Sequence, residues 1–556
     1  MALSSVALIS MLYFSTLFLS LFVTMALTPL ARRFCMRIMA VDVPGGRKIH
    51  PTPIPKGGGI AMAIGVLLPP LLWAIPDQFV KGVLLGGAVV FVCGFVDDLK
   101  PMGFKVKFAA QLAGALIAVL YGGLEIRNLG LLLPQGILLP EAIAVPLTLL
   151  FIVGVTNAIN LSDGLDGLAG GISLLSFCCM GYLAFGIDNA SVTLLSVAAA
   201  GAIFGFLRFN THPAVLFMGD AGSNFLGFLA ACLALGLTQG TSPLSPLLPL
   251  LILGFPILDT LAVMVERIAA GQSPFHADNR HFHYRLLRLG LYATESVMVI
   301  YTLQASLVTA AFFLRFHSEW LILLSYLLFA VLVLAAFLVA DKTGFKFKRR
   351  DLVDRVIKGK LRVLRDRAVL IRLVYQAAEI AVPALLVLIC FLVSPFPSYF
   401  SYVSFGLFLV VLVSLYTNST WLSGAIRLAL YLLIPAVIYL STGANMPAWL
   451  HDTYLTLYHL AFILVALLIL LTLKFTRRRK GFLVNPMDVL ILLIVIIVPA
   501  LPDPRIQSRE MGEMAAKVIL LLFSYEVLLG EMRGNAKKAA LTTMAALLIF
   551  GLKGIV

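Results

Sequence analysis

Two adjacent carboxylates, Asp97 and Asp98, stand in the string F-V-D-D-L-K, where an apolar block gives way to a polar stretch. Side by side at a membrane boundary they repel each other and lose hydration, so they require a cation or a shared proton. Magnesium suits them, because it takes carboxylate oxygens and keeps positions open for substrate phosphates. A pair of solvated acids marking a helix end is the plainer alternative. A second cluster, N-A-I-N-L-S-D-G-L-D-G-L-A-G-G, places Asn157, Asn160, Asp163 and Asp166 at every third residue. On a helix or helical turn that spacing makes one slowly drifting polar stripe. A polar helix-helix contact would need only Asn or Ser, so the two carboxylates argue for a site. The glycines among them, including Gly164 and Gly167, let backbone approach backbone or ligand closely.

A third element, F-M-G-D-A-G-S, sets Asp220 between Gly219 and Gly222 with Ser223 placed to cap the helix that follows. An Asp on so tight a turn is held as a metal ligand should be, although a capping turn reads the same way. The fourth is D-N-R-H-F-H-Y-R-L-L-R-L-G, with Arg280, His281, His283, Arg285 and Arg288 in what reads as a loop. Guanidinium groups grip a diphosphate bidentately and imidazoles hydrogen-bond or protonate it. Membrane topology alone would explain the Arg residues but not the two His. Zinc is not expected, because H-x-H lacks further Cys or His partners at a zinc-site spacing. Two basic stretches complete the set: Arg47, Lys48 and His50 in a Gly- and Pro-rich loop ending in Gly57, Gly58 and Gly59, and Lys105, Lys107 and Gln111, of which the last two share a helix face.

These residues must be positioned by membrane helices. Of 556 residues 61% are hydrophobic and 12% charged, against roughly 45 to 50% and about 25% in soluble domains. The apolar residues fall in blocks of about 17 to 25, the length that crosses the hydrocarbon core. The fold class is therefore all-α and polytopic. About eleven spans are expected up to residue 340, near 6–30, 58–76, 82–96, 106–121, 141–157, 168–187, 190–207, 222–238, 243–266, 295–314 and 320–340. About seven more are expected near 374–394, 398–417, 425–441, 454–475, 485–500, 511–530 and 537–555. Residues 341–372 are a basic linker, either an amphipathic helix on anionic headgroups or a solvated connector. The organisation is thus 1–340, 341–372 and 373–556, with no internal repeat between the halves.

The net charge of +15 reports orientation and anionic partners rather than nucleic acid. With the first loop inside, Arg32, Arg33, Arg37, Arg47, Lys48, Lys56, Lys100, Lys105, Lys107, Arg267, Arg280, Arg285 and Arg288 all fall on the inner side. The chemistry-bearing loops then share that side. The first apolar run lacks a basic flank before it and is too long for a signal-peptide core, so it is expected to be a retained helix starting outside. The six Cys, mostly within apolar blocks, read as small buried hydrophobes.

Five motifs in one order, P-G-G-R-K-I-H with Gly57 to Gly59, Asp97/Asp98, Asn157 to Gly167, the Asp220 turn and Arg280 to Leu287, resemble the polyprenyl-phosphate N-acetylhexosamine-1-phosphate transferases. These are relatives of the phospho-MurNAc-pentapeptide transferases, and the resemblance covers roughly residues 1–340. It implies that a sugar 1-phosphate passes from a UDP-sugar such as a UDP-N-acetylhexosamine to undecaprenyl phosphate, with release of UMP, as the priming step of an envelope polysaccharide. It further implies magnesium, with manganese as its substitute, a bacterial inner-membrane location and a cytoplasmic site. Carried residue by residue, it makes Asp220 a ligand to magnesium, with Asp97 and Asn160 in the same metal set. Asp97 activates the lipid phosphate and Asp98 supports it. Asn157, Asn160, Asp163 and Asp166 hold nucleotide and metal geometry, Lys107 pairs with a phosphate, Arg47, Lys48 and His50 add substrate-binding cations, and Arg280, His281 and His283 contact the donor. Where the hexosamine branch has a third His this chain has Tyr284, which bears on the donor sugar. Assembly as a homodimer stays open.

A transporter or lipid-linked sugar flippase is the competing reading. It would place ionisable groups near span midpoints and break helices at corresponding places in two halves, whereas here the acids sit at span ends. A hybrid, with a transferase in front and a module for partners or lipid product behind, is compatible with the first reading.

Overall fold

The computed structural model describes residues 2–43, 53–73, 77–134, 137–274, 279–346, 369–393, 396, 398–417, 422–441, 453–475, 511–531 and 536–554. The chain divides into two compact units between Lys348 and Arg349. The fold is all-α: among the described residues, ten helices are long and apolar enough to cross a membrane, nine of them ending by Thr343 and the tenth being Leu373–Leu392. The first unit contains α1 (Ala2–Arg37), α2 (Gly58–Trp73), α3 (Gln78–Leu99), α4 (Phe104–Leu116), α5 (Glu141–Leu161), α6 (Leu168–Gly186) and α7 (Ala190–Asn210). It continues with α8 (Gly219–Thr238), α9 (Leu248–Ile252), α10 (Gly254–Ala269), α11 (Phe282–Arg288), α12 (Ala293–Leu314) and α13 (Glu319–Thr343).

At the centre lies α8, 94% buried over its apolar window, against 28% for α13 at the periphery. It packs against α2, α3, α5, α6 and α7. Small residues make so crowded a position feasible. A Cβ on Gly59 would stand 2.4 Å from the backbone nitrogen of Gly222, and one on Gly94 would stand 2.6 Å from the carbonyl oxygen of Asp220. Neither neighbour is a side chain that could rotate away, so α2 and α3 approach the first turn of α8 only as glycine backbone. The glycine run at the head of α2 thus serves helix packing. The same junction is stitched by backbone hydrogen bonds, Gly58 and Gly59 N–H donating to the carbonyls of Phe217 and Met218 and Phe217 N–H to that of Pro55, each at 2.9 Å. A two-residue antiparallel ladder, β1 (Val41–Asp42) with β2 (Ile54–Pro55), closes the base of the α1–α2 connection.

Three local features depart from the periodicity. The expected span 106–121 is α4 completed by a π-helical turn over Ile117–Tyr121. The expected span 243–266 breaks at Leu253 into α9 and α10. A break inside an apolar bundle strands backbone polar groups, and Gln304 of α12 answers it: its amide nitrogen donates to the Ile252 carbonyl at 2.7 Å and its oxygen accepts from Phe255 N–H at 3.3 Å. Tyr326 of α13 donates its hydroxyl to the carbonyl of Gly254 at 3.0 Å. Finally, the stretch expected as a loop at 278–290 contains the two-turn helix α11.

The second unit contains α14 (Val369–Leu392), α15 (Tyr399–Tyr416), α16 (Leu422–Leu440), α17 (Thr453–Phe475), α18 (Met511–Glu531) and α19 (Ala536–Lys553). Among its described residues, several charges pair within the unit. Lys538 lies 3.3 Å from Glu379 and His459 lies 3.0 Å from Glu513. Lys517, in an ion pair with Glu513, also stands 4.3 Å over the ring of Tyr458. The expected span 485–500, the cluster Arg477 to Lys480 and most of the basic linker lie outside the described residues.

Candidate active site

Four helix ends meet beside the start of α8. Asp97 and Asp98 come from the end of α3, Lys107 from the first turn of α4, Asn157 and Asn160 from the last turns of α5, and Asp220 from the first turn of α8. Lys107 Nζ stands 2.6 Å from Asp97 Oδ2 and 2.6 Å from Asp220 Oδ2. The ammonium takes the place between two carboxylates that a divalent cation would otherwise fill. The cluster opens outward: the side chains of Lys107 and Asp220 are 33% and 29% exposed, whereas that of Asp98 is 0% exposed. Lys107 and Asp220 thus form the open side of the cluster and Asp98 its closed side.

Asp98 is instead the cap of α8. Its two oxygens accept from Asp220 N–H and Ala221 N–H, both at 3.0 Å, so a carboxylate seals the positive end of the buried helix. Gly219, at φ +73, is required here because a Cβ would lie 2.4 Å from Asp98 Oδ2. Lys56 Nζ approaches the same carboxylate at 3.5 Å. The expected cap, Ser223, does otherwise. Its hydroxyl donates back to the Gly219 carbonyl at 3.0 Å and accepts from Asn160 Nδ2 at 2.8 Å. One turn into a helix a short hydroxyl meets the preceding carbonyl, while Asp98 reaches the free N–H groups from outside.

An amide relay fixes the orientation of α4, α5 and α8. Asn157 Nδ2 donates to Gln111 Oε1 at 2.7 Å, Gln111 Nε2 to Asn224 Oδ1 at 2.8 Å, and Asn224 Nδ2 to the Asp220 carbonyl at 2.7 Å. Asn157 is thus joined to the Asp220 backbone through two intervening amides. Asn160 turns its nitrogen to Asp220 Oδ1 at 3.2 Å. As a donor it steadies the carboxylate.

Beyond α5 the polar stripe divides. Asp163 lies in the turn before α6, close enough to the charges of Asp220 and Asp98 to feel them. Burial first, and those charges next, push its carboxyl up to about 7. Asp166 points elsewhere: Oδ2 meets His212 Nδ1 at 2.8 Å and accepts from Ala214 N–H at 3.1 Å. The hydrogen bond to Asp166 raises the His212 imidazole above its ordinary value. With Asn210, which accepts from Gly167 N–H at 3.0 Å and donates to the Leu216 carbonyl at 3.0 Å, this makes a clamp between the Asp163 turn and the α7–α8 connection. Asp166 is consequently a clamp residue rather than part of the exposed cluster.

The histidine segment packs over the same turn. His283 lies so close to Gly164 that a Cβ there would meet its Nε2 at 2.3 Å. Burial drops this imidazole to about 4, and Nε2 has no hydrogen-bond partner among the described residues. The rings of His281 and His283 lie parallel, 5.9 Å apart, and Tyr284 tilts against His283 at 4.2 Å. Arg285 pairs with Glu266 and stands over Phe282 and Phe337. Arg280 donates to the Glu266 carbonyl at 3.3 Å and to Gln272 Oε1 at 3.0 Å, so in this conformation it serves its own loop. Arg47, Lys48 and His50 lie outside the described residues.

Among the described residues no three His, Cys, Asp or Glu side chains gather as a metal site. The donor set that fits a hard cation is the facing pair of Asp97 and Asp220, two carboxylates bridged by one ammonium, with further positions left to phosphate oxygens. The residues missed by pattern are Asn210, Asn224 and His212 as supports, and Asp259, while Gln111, expected to share a face with Lys107, serves as the relay. Asp259 had a signal, a lone acid within an apolar block.

The family model for glycosyl transferase family 4 matches residues 80–238, the stretch from α3 through α8. A probable undecaprenyl-phosphate N-acetylglucosaminyl 1-phosphate transferase of Bacillus subtilis (strain 168) is 36% identical over 334 residues, 59% of this chain and 92% of its own. An undecaprenyl-phosphate alpha-N-acetylglucosaminyl 1-phosphate transferase of Escherichia coli (strain K12) is 32% identical over 65% of this chain and 95% of its own. The Yersinia pestis protein of the same name is 33% identical over 62% and 93%.

Proposed function

We propose a donor, an acceptor and a cation for this chain, which belongs to glycosyl transferase family 4 and is a polytopic membrane phosphotransferase. The reaction is transfer of an N-acetylhexosamine 1-phosphate from a UDP-sugar to undecaprenyl phosphate, yielding the undecaprenyl diphosphate sugar and UMP. It takes place at the cytoplasmic face of a bacterial inner membrane and primes an envelope polysaccharide. The observation that carries this reading is the placement of Asp97, Lys107 and Asp220 within one 2.6 Å pair of contacts at the mouth of the bundle.

Phosphoryl transfer between two anions is chiefly a matter of position and charge. An oxygen of the lipid phosphate forms a bond to the β-phosphorus of the donor. The bond from that phosphorus to the bridging oxygen breaks, and UMP departs with the oxygen. Asp97, fixed by Met102 N–H at 2.6 Å, accepts a proton from the acceptor phosphate. Lys107, released from a carboxylate, pairs with a phosphate oxygen. Asp97 and Asp220 are the residues that would hold magnesium, which would supply positive charge to the donor diphosphate. His281 and His283 contact the donor, and Asp98 keeps Asp220 in place.

Purified enzyme given UDP-N-acetylglucosamine, undecaprenyl phosphate and magnesium should release UMP. Asp220→Asn should remain folded and lose at least about a hundredfold in turnover. Wild-type turnover by that variant would remove the metal assignment, and no UMP from any UDP-hexosamine would remove the donor class.

A further inference from the structure

One acid remains outside that mechanism although it is among the most buried in the molecule. Asp259, 2% exposed, sits on α10 in the apolar string P-I-L-D-T-L-A-V. Both its oxygens are used: Oδ1 accepts from Phe282 N–H at 2.8 Å, and Oδ2 meets His281 Nδ1 at 3.0 Å. His281 is the residue at which α11 begins and is itself 5% exposed. Two turns further along α10, Glu266 binds Arg285 of α11 and its carbonyl receives Arg280. Acids seven residues apart share a helix face, so one face of α10 holds the histidine helix at its start and at its middle.

We propose that Asp259 is the positioning residue of His281: it keeps Nδ1 protonated and presents the Nε2–H of an imidazolium to the anionic diphosphate of the nucleotide-sugar donor. This rests on the reading above that the α11 segment meets the donor. A buried carboxylate needs a positive partner, and the imidazole is the group it touches. The other titratable groups around it are accounted for. His283 is stacked on His281 and held neutral by burial, and Glu266 and Arg285 neutralise each other. With Nδ1 committed to Asp259, the proton that can meet a phosphate oxygen is the one on Nε2.

Asp259→Asn separates charge from packing. The side-chain oxygen can still accept from Phe282 N–H, while the amide nitrogen now faces Nδ1 as a donor and forces the neutral tautomer protonated on Nε2. The hydrogen bond to the donor survives and its charge is lost. The apparent KM for UDP-sugar should rise about tenfold at neutral pH, with kcat changed less than about threefold. In a His281→Ala background, Asp259→Asn should add nothing further to the donor KM. If His281→Ala leaves the donor KM unchanged, the donor-facing reading of α11 fails. If His281→Ala raises it and Asp259→Asn does not, the role of Asp259 fails alone. Nitrogen chemical shifts of 15N-histidine-labelled wild type test the same point without a variant, since an unprotonated His281 Nδ1 at neutral pH would overturn the proposal.

Discussion

Lys107 shows how one side chain sets the electrostatics of the cluster. Without the ammonium, Asp97 and Asp220 would face each other as two partly buried anions, and one would have to protonate. The ammonium lies between them, so a metal held by the same pair would compete with it. Lys107→Gln should therefore lower the half-saturating magnesium concentration several-fold while kcat drops by about a hundredfold, through loss of a phosphate contact. Titrating UMP release against magnesium checks both, and an unchanged half-saturation would mean that the lysine does not share the metal's ligands. At this scale residue types were informative. Asp97, Lys107, Asn160 and Asp220 converge as their motifs suggested, because charged groups at apolar boundaries are too costly to hold without use. What each one does was less visible. Asp98 and Asp97 are neighbours in sequence, yet one caps a helix 122 residues away and the other faces the opening. Asp166, three residues from Asp163, turns to His212 instead. Spacing fixes which face a residue lies on, but the partner on that face is chosen by tertiary packing.

Among elements, the decisive contacts are backbone on backbone. Gly94 carries no chemistry, but a methyl there meets the carbonyl of Asp220 and the backbone of Ala221. Gly94→Ala should push the first turn of α8 off α3, breaking the Asp98 cap. Overpacking of this kind costs about 1 to 3 kcal/mol. The expected result is a lower melting temperature and at least about a tenfold loss of turnover, measured side by side with Gly103→Ala, where a Cβ meets nothing within 4 Å. Equal behaviour of the two would remove the argument. Helix lengths and order were legible from the apolar blocks, since bilayer thickness dictates them. The break between α9 and α10 was not. The 243–266 stretch is apolar throughout, and the residue that makes the break tolerable, Gln304, lies on another helix.

For the molecule as a whole, two observations separate the enzyme from the competing transporter reading. The acids of the cluster sit at helix ends, and the relatives cover 59% to 65% of this chain while the chain covers 92% to 95% of them. The remaining third or more belongs to no counterpart in those proteins. A chain ended after Lys348 should keep UMP release within about threefold of the full chain in detergent, since the contacts of the cluster all lie in the first unit. Complete loss, with the shortened chain still folded, would make the rear unit part of the catalytic body. The burial of α8 carries a consequence for how such an enzyme can diversify. Its first turn is locked by glycine contacts and a carboxylate cap, so substitutions there damage the reaction with every substrate. The histidine helix is borne by α10 through two acids at the border of the bundle. If α11 meets the donor as proposed, selection for a different sugar would act at that border and leave the hub as it is.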